Sequence, residues 1–149
     1  MTIRILLLFA ISVLILYGCG NESDHKEQVL PAIDTMNVDE TIDVIQLLEQ
    51  EKADTFLWNI FEDLESEKKF GLLQKYVTTY ESHSVLEAES QGIVWFYSAV
   101  LATEKMNYDS AAVYYNKARL LFLYSENNKY LIKTLINAAD NYGRLCKFD

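Results

Sequence analysis

The chain has 149 residues, with 22 acidic and 13 basic side chains and a formal net charge of −9. This length is sufficient for one domain with its own hydrophobic core. The acidic balance disfavours nucleic acid and anionic membrane surfaces as partners, because both repel a negatively charged protein surface.

Residues 1–18 have the organisation of a bacterial signal peptide. Arg4 precedes thirteen apolar or small residues, 5–17, a run shorter than the roughly 20 residues that a membrane-spanning helix needs. Residues 16–19, Leu-Tyr-Gly-Cys, resemble the lipobox of bacterial lipoproteins. The resemblance implies that Cys19 is fatty-acylated, with palmitate or a similar chain, and becomes the first residue of a mature lipoprotein. An uncleaved short anchor and an ordinary secreted protein are the alternatives.

The lipobox also implies a location. The protein is expected to be membrane-anchored and extracytoplasmic in a bacterium. Gly20 follows the lipid site instead of the Asp that favours retention at the inner membrane, so the outer membrane is expected in a Gram-negative cell. Once Cys19 carries lipid, Cys146 is the one remaining thiol and no intramolecular disulfide can form.

Residues 19–38 are predicted to hold the lipidated cysteine and a flexible tether. The segment is polar at first, from Asn21 to Gln28, and contains the only proline, Pro31. Such a composition offers too little apolar surface to order itself. Its expected role is to space the following domain from the membrane.

Residues 39–149 are predicted to form an all-α domain, because apolar residues recur at helical spacing and no long segment alternates with a period of two. Capping patterns indicate where helices begin: Asn37 with Glu40, Ser84 with Glu87, and Asp54 as an N-cap. The apolar positions on these first helices are Ile42, Ile45, Leu48, Leu57, Phe61, Leu64, Phe70, Leu73, Val77 and Tyr80.

The clearest unit is a helical hairpin over residues 95–122. Its first stripe is Trp95, Ala99, Ala102 and Met106, and its second is Ala111, Tyr115, Ala118 and Phe122. Asp109 is predicted to cap the second helix. Ala99 and Ala111 are small enough to let the two helices approach closely. Gly92 interrupts the first helix, at a cost of about 1 kcal/mol relative to alanine.

This hairpin resembles the tetratricopeptide repeat (TPR). Trp95 matches the tryptophan of the family pattern, and Ala99 replaces its glycine with another small residue. The second helix has the expected spacing of Ala, aromatic residue and Ala. The positions that depart from the pattern are Ser98, Ala102 and Leu123. The resemblance implies stacked helical hairpins in a short TPR-like α-solenoid, acting as a non-catalytic scaffold for protein–protein interaction at the bacterial cell envelope.

An internal repeat supports the stacking. Phe70, Tyr108 and Phe148 are each predicted to mark the turn into a second helix, with separations of 38 and 40 residues. The two-helix HEAT repeat, at about 40 residues, is the alternative architecture. The last repeat is predicted to be incomplete, with a turn at residues 147–149. The alternative to a scaffold is therefore the N-terminal part of a longer TPR protein, with no complete binding groove.

The sequence offers no pattern for catalysis, a cofactor or a metal. His25 and His83 lack a Cys or His at ligand spacing. The acidic residues of segment 62–67 are expected to be a solvated helix face, with a catalytic carboxylate pair as the less favoured alternative. We therefore expect a protein that is not an enzyme.

The TPR resemblance implies a groove lined by the first helix of each hairpin. The matching positions are Trp58, Glu62, Phe96, Val100, Glu104, Ile136, Asp140 and Arg144. The alternative for Trp58, Phe96 and Val100 is an ordinary core position.

The last predicted helix, residues 129–146, has two neighbouring apolar stripes. The first is Leu131, Leu135, Ala138, Tyr142 and Leu145, and the second is Ile132, Ile136, Ala139 and Cys146. One stripe can pack on the preceding hairpin, and the other has no evident partner in the sequence. We therefore expect this helix to pair with a partner protein or with a second copy of the chain.

Overall fold

The computed structural model describes residues 37–46, 48–82 and 87–148, in which all regular secondary structure is helical. The helices are α1 (Val38–Gln46), α2 (Gln50–Ser66), α3 (Phe70–Ser82), α4 (Ala88–Glu104), α5 (Tyr108–Tyr124) and α6 (Asn128–Phe148). The all-α prediction is confirmed for this part of the chain. The predicted signal peptide, Cys19 and residues 20–36 of the tether lie outside it, as does His83.

Helix α4 is the centre of the domain. It contacts α2, α3, α5 and α6, and it has its most extensive interface with α5. Eleven of its 17 residues are buried, so it has no polar face along most of its length. A helix that is apolar along most of its length must be enclosed by other elements, which explains why α2, α3, α5 and α6 are arranged around α4.

The interface of α4 with α5 follows the predicted spacing. Ala111, Tyr115, Ala118 and Phe122 are all buried, as is Ala99 on the opposing helix. Of the stripe predicted for α4, only the two middle residues, Ala99 and Ala102, are buried. Met106 is 75% exposed, and Trp95 is half-buried at the edge, with the Lys117 ammonium 3.8 Å from its ring centre.

The same turn ends α2, α4 and α5. Lys68, Met106 and Glu126 each adopt a left-handed backbone, with φ between 56° and 58°. The next residue then donates its amide to a carbonyl five residues back, which caps the helix end in a Schellman motif. These bonds are Lys69 to Leu64 (2.8 Å), Asn107 to Ala102 (2.9 Å) and Asn127 to Phe122 (3.1 Å). The first helix of each predicted repeat begins at Gln50, Ala88 and Asn128, spaced by 38 and 40 residues.

Three predicted helix starts need correction. Asn107, and not Asp109, caps α5, and its side chain accepts a hydrogen bond from the Ser110 amide at 3.1 Å. Asp54 lies inside α2, which begins four residues earlier at Gln50. Glu87 precedes α4 instead of occupying its first turn.

Neither of the two apolar stripes predicted for helix α6 forms its buried face. Its deepest side chains are Tyr130, Thr134 and Asn141, at 3%, 0% and 1% exposure. These residues share one face, so the helix packs on the domain partly through polar groups. The predicted turn at 147–149 is wrong for residues 147 and 148, because α6 continues through Phe148.

Candidate binding surfaces

Helices α2, α4 and α6 meet through a cluster of aromatic rings. Trp58 of α2 stacks on Tyr130 of α6, with ring centroids 4.0 Å apart and an interplanar angle of 13°. The Trp58 ring also lies 5.1 Å from that of Phe96 on α4. Trp58, Phe96 and Val100 are 1%, 0% and 5% exposed. The groove prediction is therefore wrong for these three residues, which are core positions and are not accessible to a partner.

A lysine covers this aromatic cluster on its outer side. The Lys133 ammonium of α6 lies 2.7 Å from Glu62 Oε1 of α2. It is also 5.0 Å from the centre of the Trp58 ring and 5.8 Å from that of Phe96. A cation over the face of an aromatic ring and beside a carboxylate is stabilised by both. The Glu62 carboxylate and the two aromatic rings thus form a cation site that the Lys133 ammonium occupies.

Glu65 of α2 is a half-buried carboxyl whose pKa depends on its charged neighbours. Burial raises the pKa of the Glu65 carboxyl; Lys133 opposes this rise, while Glu62 and Glu104 add to it. Of the predicted groove residues, Glu62 is half-buried and Glu104 is exposed.

Tyr97 of α4 packs against the rings of Trp58, Phe61 and Phe96. The residue is fully buried, and its hydroxyl has no hydrogen-bond partner in the part of the chain that the structure describes. Burial raises the pKa of this hydroxyl, and the next largest contributions come from Glu65 and Glu62. A buried polar group without a partner is costly and calls for an explanation.

Asp140 and Arg144 lie further along α6. Their side chains are exposed and form an ion pair of 2.8 Å within the helix. Both influence the buried hydroxyl of Tyr115, whose pKa burial raises to about 12. Such an exposed pair contributes little to stability. Because both side chains are exposed, these two predicted groove residues are accessible to a partner.

The outer side of α6 is apolar. Ile132, Leu135, Ile136 and Tyr142 are 57%, 46%, 65% and 53% exposed. Ala139 and Cys146 are exposed on the same side. We call these six residues the apolar seam. Five of them, all except Ile136, recur at steps of three and four, which is the spacing of a helix that packs against another helix. The predicted second stripe is thus exposed, and Leu135 and Tyr142 of the first stripe are exposed with it.

A second polar cluster lies between α2 and α4, and the sequence interpretation missed it. Asp54 is 3% exposed and accepts hydrogen bonds from the Ser90 hydroxyl and from Gln50 Nε2, the latter at 3.0 Å. Burial raises the pKa of this carboxyl. The helical spacing of the sequence indicated that Asp54 is buried, because it precedes Leu57 and Phe61 on the apolar stripe of α2.

The described residues contain no group of three or more His, Cys, Asp or Glu side chains that could hold a metal ion. None of their helices combines the length and the apolarity needed to cross a membrane. Comparison with models of protein families gives no match. Searches of curated proteins and of solved structures give no significant match either.

Proposed function

We propose that this chain is a lipid-anchored, non-catalytic TPR-like scaffold that binds another protein at the bacterial cell envelope. The anchor is the lipid on Cys19, and residues 20–38 are the tether. The proposed location is extracytoplasmic, at the outer membrane if the cell is Gram-negative. Nucleic acid is not a proposed partner, because removal of residues 1–18 leaves a net charge of −10.

The repeated helix geometry supports the TPR-like part of the proposal. Helix starts recur at 38 and 40 residues, and the left-handed turn residues Lys68 and Met106 are also 38 residues apart. Small side chains at Ala99 and Ala111 are fully buried where the helices of the best-matched hairpin meet.

The apolar seam is the observation that carries the binding function. A scattered exposed leucine is ordinary on a protein surface, whereas a contiguous apolar patch marks a contact site. Here six apolar side chains share one side of a helix whose opposite side is already packed on the domain. Burial of this seam against a partner helix would remove it from water, which is the main source of affinity at protein interfaces.

Crosslinking of the full-length protein in intact cells tests this function. We expect a covalent adduct with a partner or with a second copy, and we expect Ile132→Glu combined with Ile136→Glu to abolish it. Val113→Glu with Leu120→Glu is the matched control, since these α5 side chains are 55% and 51% exposed and the added charge is equal. An adduct that survives in the α6 variant would contradict the proposal.

The alternative is that the domain is the N-terminal part of a longer TPR protein. In that case a further helix of the same chain would cover the apolar seam. The reading frame after Asp149 distinguishes the two, because the alternative requires that it continue with helical repeats.

A further inference from the structure

We propose that the apolar seam binds an acidic amphipathic helix of the partner protein. The apolar side of that helix packs on the seam, and its flanking carboxylates lie beside the basic side chains of α6. This inference rests on the proposed function and names the chemistry of the partner at the same site.

The spacing of the seam indicates that its partner is a helix. Ile132, Leu135, Ala139, Tyr142 and Cys146 recur at steps of three, four, three and four, which is the pattern with which one helix packs along another. At a rise of 1.5 Å per residue, these positions extend along about 21 Å of α6. A partner helix of about four turns therefore covers the seam, with apolar anchors at the same spacing.

Charge is distributed unevenly between the seam and the rest of the domain. Residues 38–105 contain 14 acidic and 5 basic side chains, a formal net charge of −9. Residues 106–148, which include α5 and α6, contain 3 acidic and 6 basic side chains, a formal net charge of +3. The seam therefore lies on the basic part of an acidic domain. Charge complementarity at an interface favours a partner of the opposite sign, so the basic part favours an acidic partner segment.

One edge of the seam carries the basic side chains of α6. Lys129, Lys133 and Arg144 lie on the same side of the helix at 3.6 residues per turn, together with one acidic residue, Asp140. Lys133 pairs with Glu62 of α2, and Arg144 binds Asp140 through its Nε. Lys129 is exposed next to the first turn of the seam. Because a guanidinium has five N–H donors, carboxylates of a partner helix can bind Arg144 as well as Lys129.

A second copy of the chain is a poorer match for the seam. Helix α6 contains four basic residues and one acidic residue, so two α6 helices that paired through their seams would bring like charges together. The acidic residues lie mainly in segment 38–105, whose described part has a single exposed large hydrophobic side chain, Leu72. Within the described residues, acidic charge and exposed apolar area therefore occur on different parts of the chain. A helix that combines them belongs to a different protein.

Two labelled synthetic peptides test the proposal. Both are helical and have leucine at the same apolar positions, but the flanking positions are glutamate in one peptide and lysine in the other. Binding to the full-length protein is measured by fluorescence anisotropy. We expect the glutamate peptide to bind about tenfold more tightly, the effect of one charge-assisted hydrogen bond. Its affinity should fall as the salt concentration rises, because salt screens exposed charges.

Variants of the basic edge test whether α6 supplies the charge. Lys129→Gln combined with Arg144→Gln should slow association of the glutamate peptide severalfold and change its dissociation little, because charges at the rim of an interface act mainly on the association rate. Lys75→Gln with Lys105→Gln is the matched control, since it removes the same charge at exposed positions on α3 and at the end of α4.

Equal binding of the two peptides, binding of neither, or equal slowing by the edge variant and its control would overturn the inference. So would dimerisation in light scattering, or binding to anionic lipid vesicles, that Ile132→Glu with Ile136→Glu abolishes. These two results would assign the seam to a second copy or to a lipid surface. The adduct in intact cells depends on the apolar side chains and not on the sign of the partner's charge. Its loss contradicts the proposed function, whereas equal binding of the two peptides contradicts only this inference.

Discussion

The Phe122 ring lies directly over Gly92, where α5 crosses α4. A Cβ atom added to Gly92 would meet Phe122 Cε1 at 2.7 Å. Phe122 is itself fully buried, with its ring 6.4 Å from that of Trp58 and 5.5 Å from that of Tyr130. The ring therefore cannot move aside freely. The glycine that weakens α4 as an isolated helix is what allows α4 and α5 to pack.

This contact predicts opposite results for two glycines. Gly92→Ala should destabilise the domain by roughly 1–3 kcal/mol, because the methyl group overpacks the Phe122 contact. Gly143→Ala, in α6 with no atom within 4 Å of the added Cβ, should stabilise it by ~0.5–1 kcal/mol through helix propensity alone. Urea denaturation measures both. A stabilising Gly92→Ala would mean that the ring and the glycine are not in contact.

The buried Asp54 carboxyl predicts that stability falls as pH rises. Burial raises its pKa in the folded state, so its contribution to stability is complete below the unfolded pKa of about 4 and is lost as pH rises through the folded pKa. Glu65 and Glu89 are shifted in the same direction, mainly by burial. The free energy of unfolding should therefore be greater at weakly acidic pH than at neutral pH.

Asp54→Asn tests which group is responsible. The amide keeps the size of the carboxyl and its capacity to accept the Ser90 hydroxyl hydrogen bond, but it does not titrate. We expect a flatter pH dependence of the free energy of unfolding, measured in urea from pH 4 to pH 7. Asp43→Asn, at an exposed position of α1, is the control. If Asp54→Asn and Asp43→Asn show the same slope, burial of Asp54 is not the cause.

The left-handed turn residues predict a stabilising substitution. Met106 has a φ of 57° and is 75% exposed, so it bears the backbone strain of this conformation with little packing in return. Left-handed backbone costs a residue with a side chain roughly 1–2 kcal/mol, and glycine recovers this less its own entropy of ~0.5–1 kcal/mol. Met106→Gly should raise the melting temperature. The neighbouring Lys105→Gly, at a φ of −84°, should lower it.

The lipid anchor is tested directly at Cys19. Metabolic labelling with a fatty-acid analogue should tag the wild type and not Cys19→Ser, since the lipobox resemblance places the acyl chains on that thiol. Cys146→Ser should remain labelled, because Cys146 is in α6 and far from the lipobox in sequence. Equal labelling of wild type and Cys19→Ser would contradict acylation at this position.

Helical periodicity alone was sufficient to predict the all-α domain and the packed stripe of α5. Each helix is a local structure, so the spacing of Ala111, Tyr115, Ala118 and Phe122 indicates which side of it is apolar. The same spacing marked the apolar seam on α6. Asp54 has the spacing of the apolar stripe of α2, but as an acidic residue it was predicted to be a helix cap and not a buried group.

Only the tertiary structure decides what covers each apolar side. Trp58 and Phe96 have the spacing of groove residues, yet Tyr130, 72 residues from Trp58 in the chain, stacks on the indole ring and closes that side. The exposed Ile136 has the same sequence character, and none of the described residues covers it in this way. Spacing along one helix fixes the direction of a side chain, whereas burial depends on a second helix from a distant part of the chain. The ion pair between Lys133 of α6 and Glu62 of α2 arises from the same long-range packing.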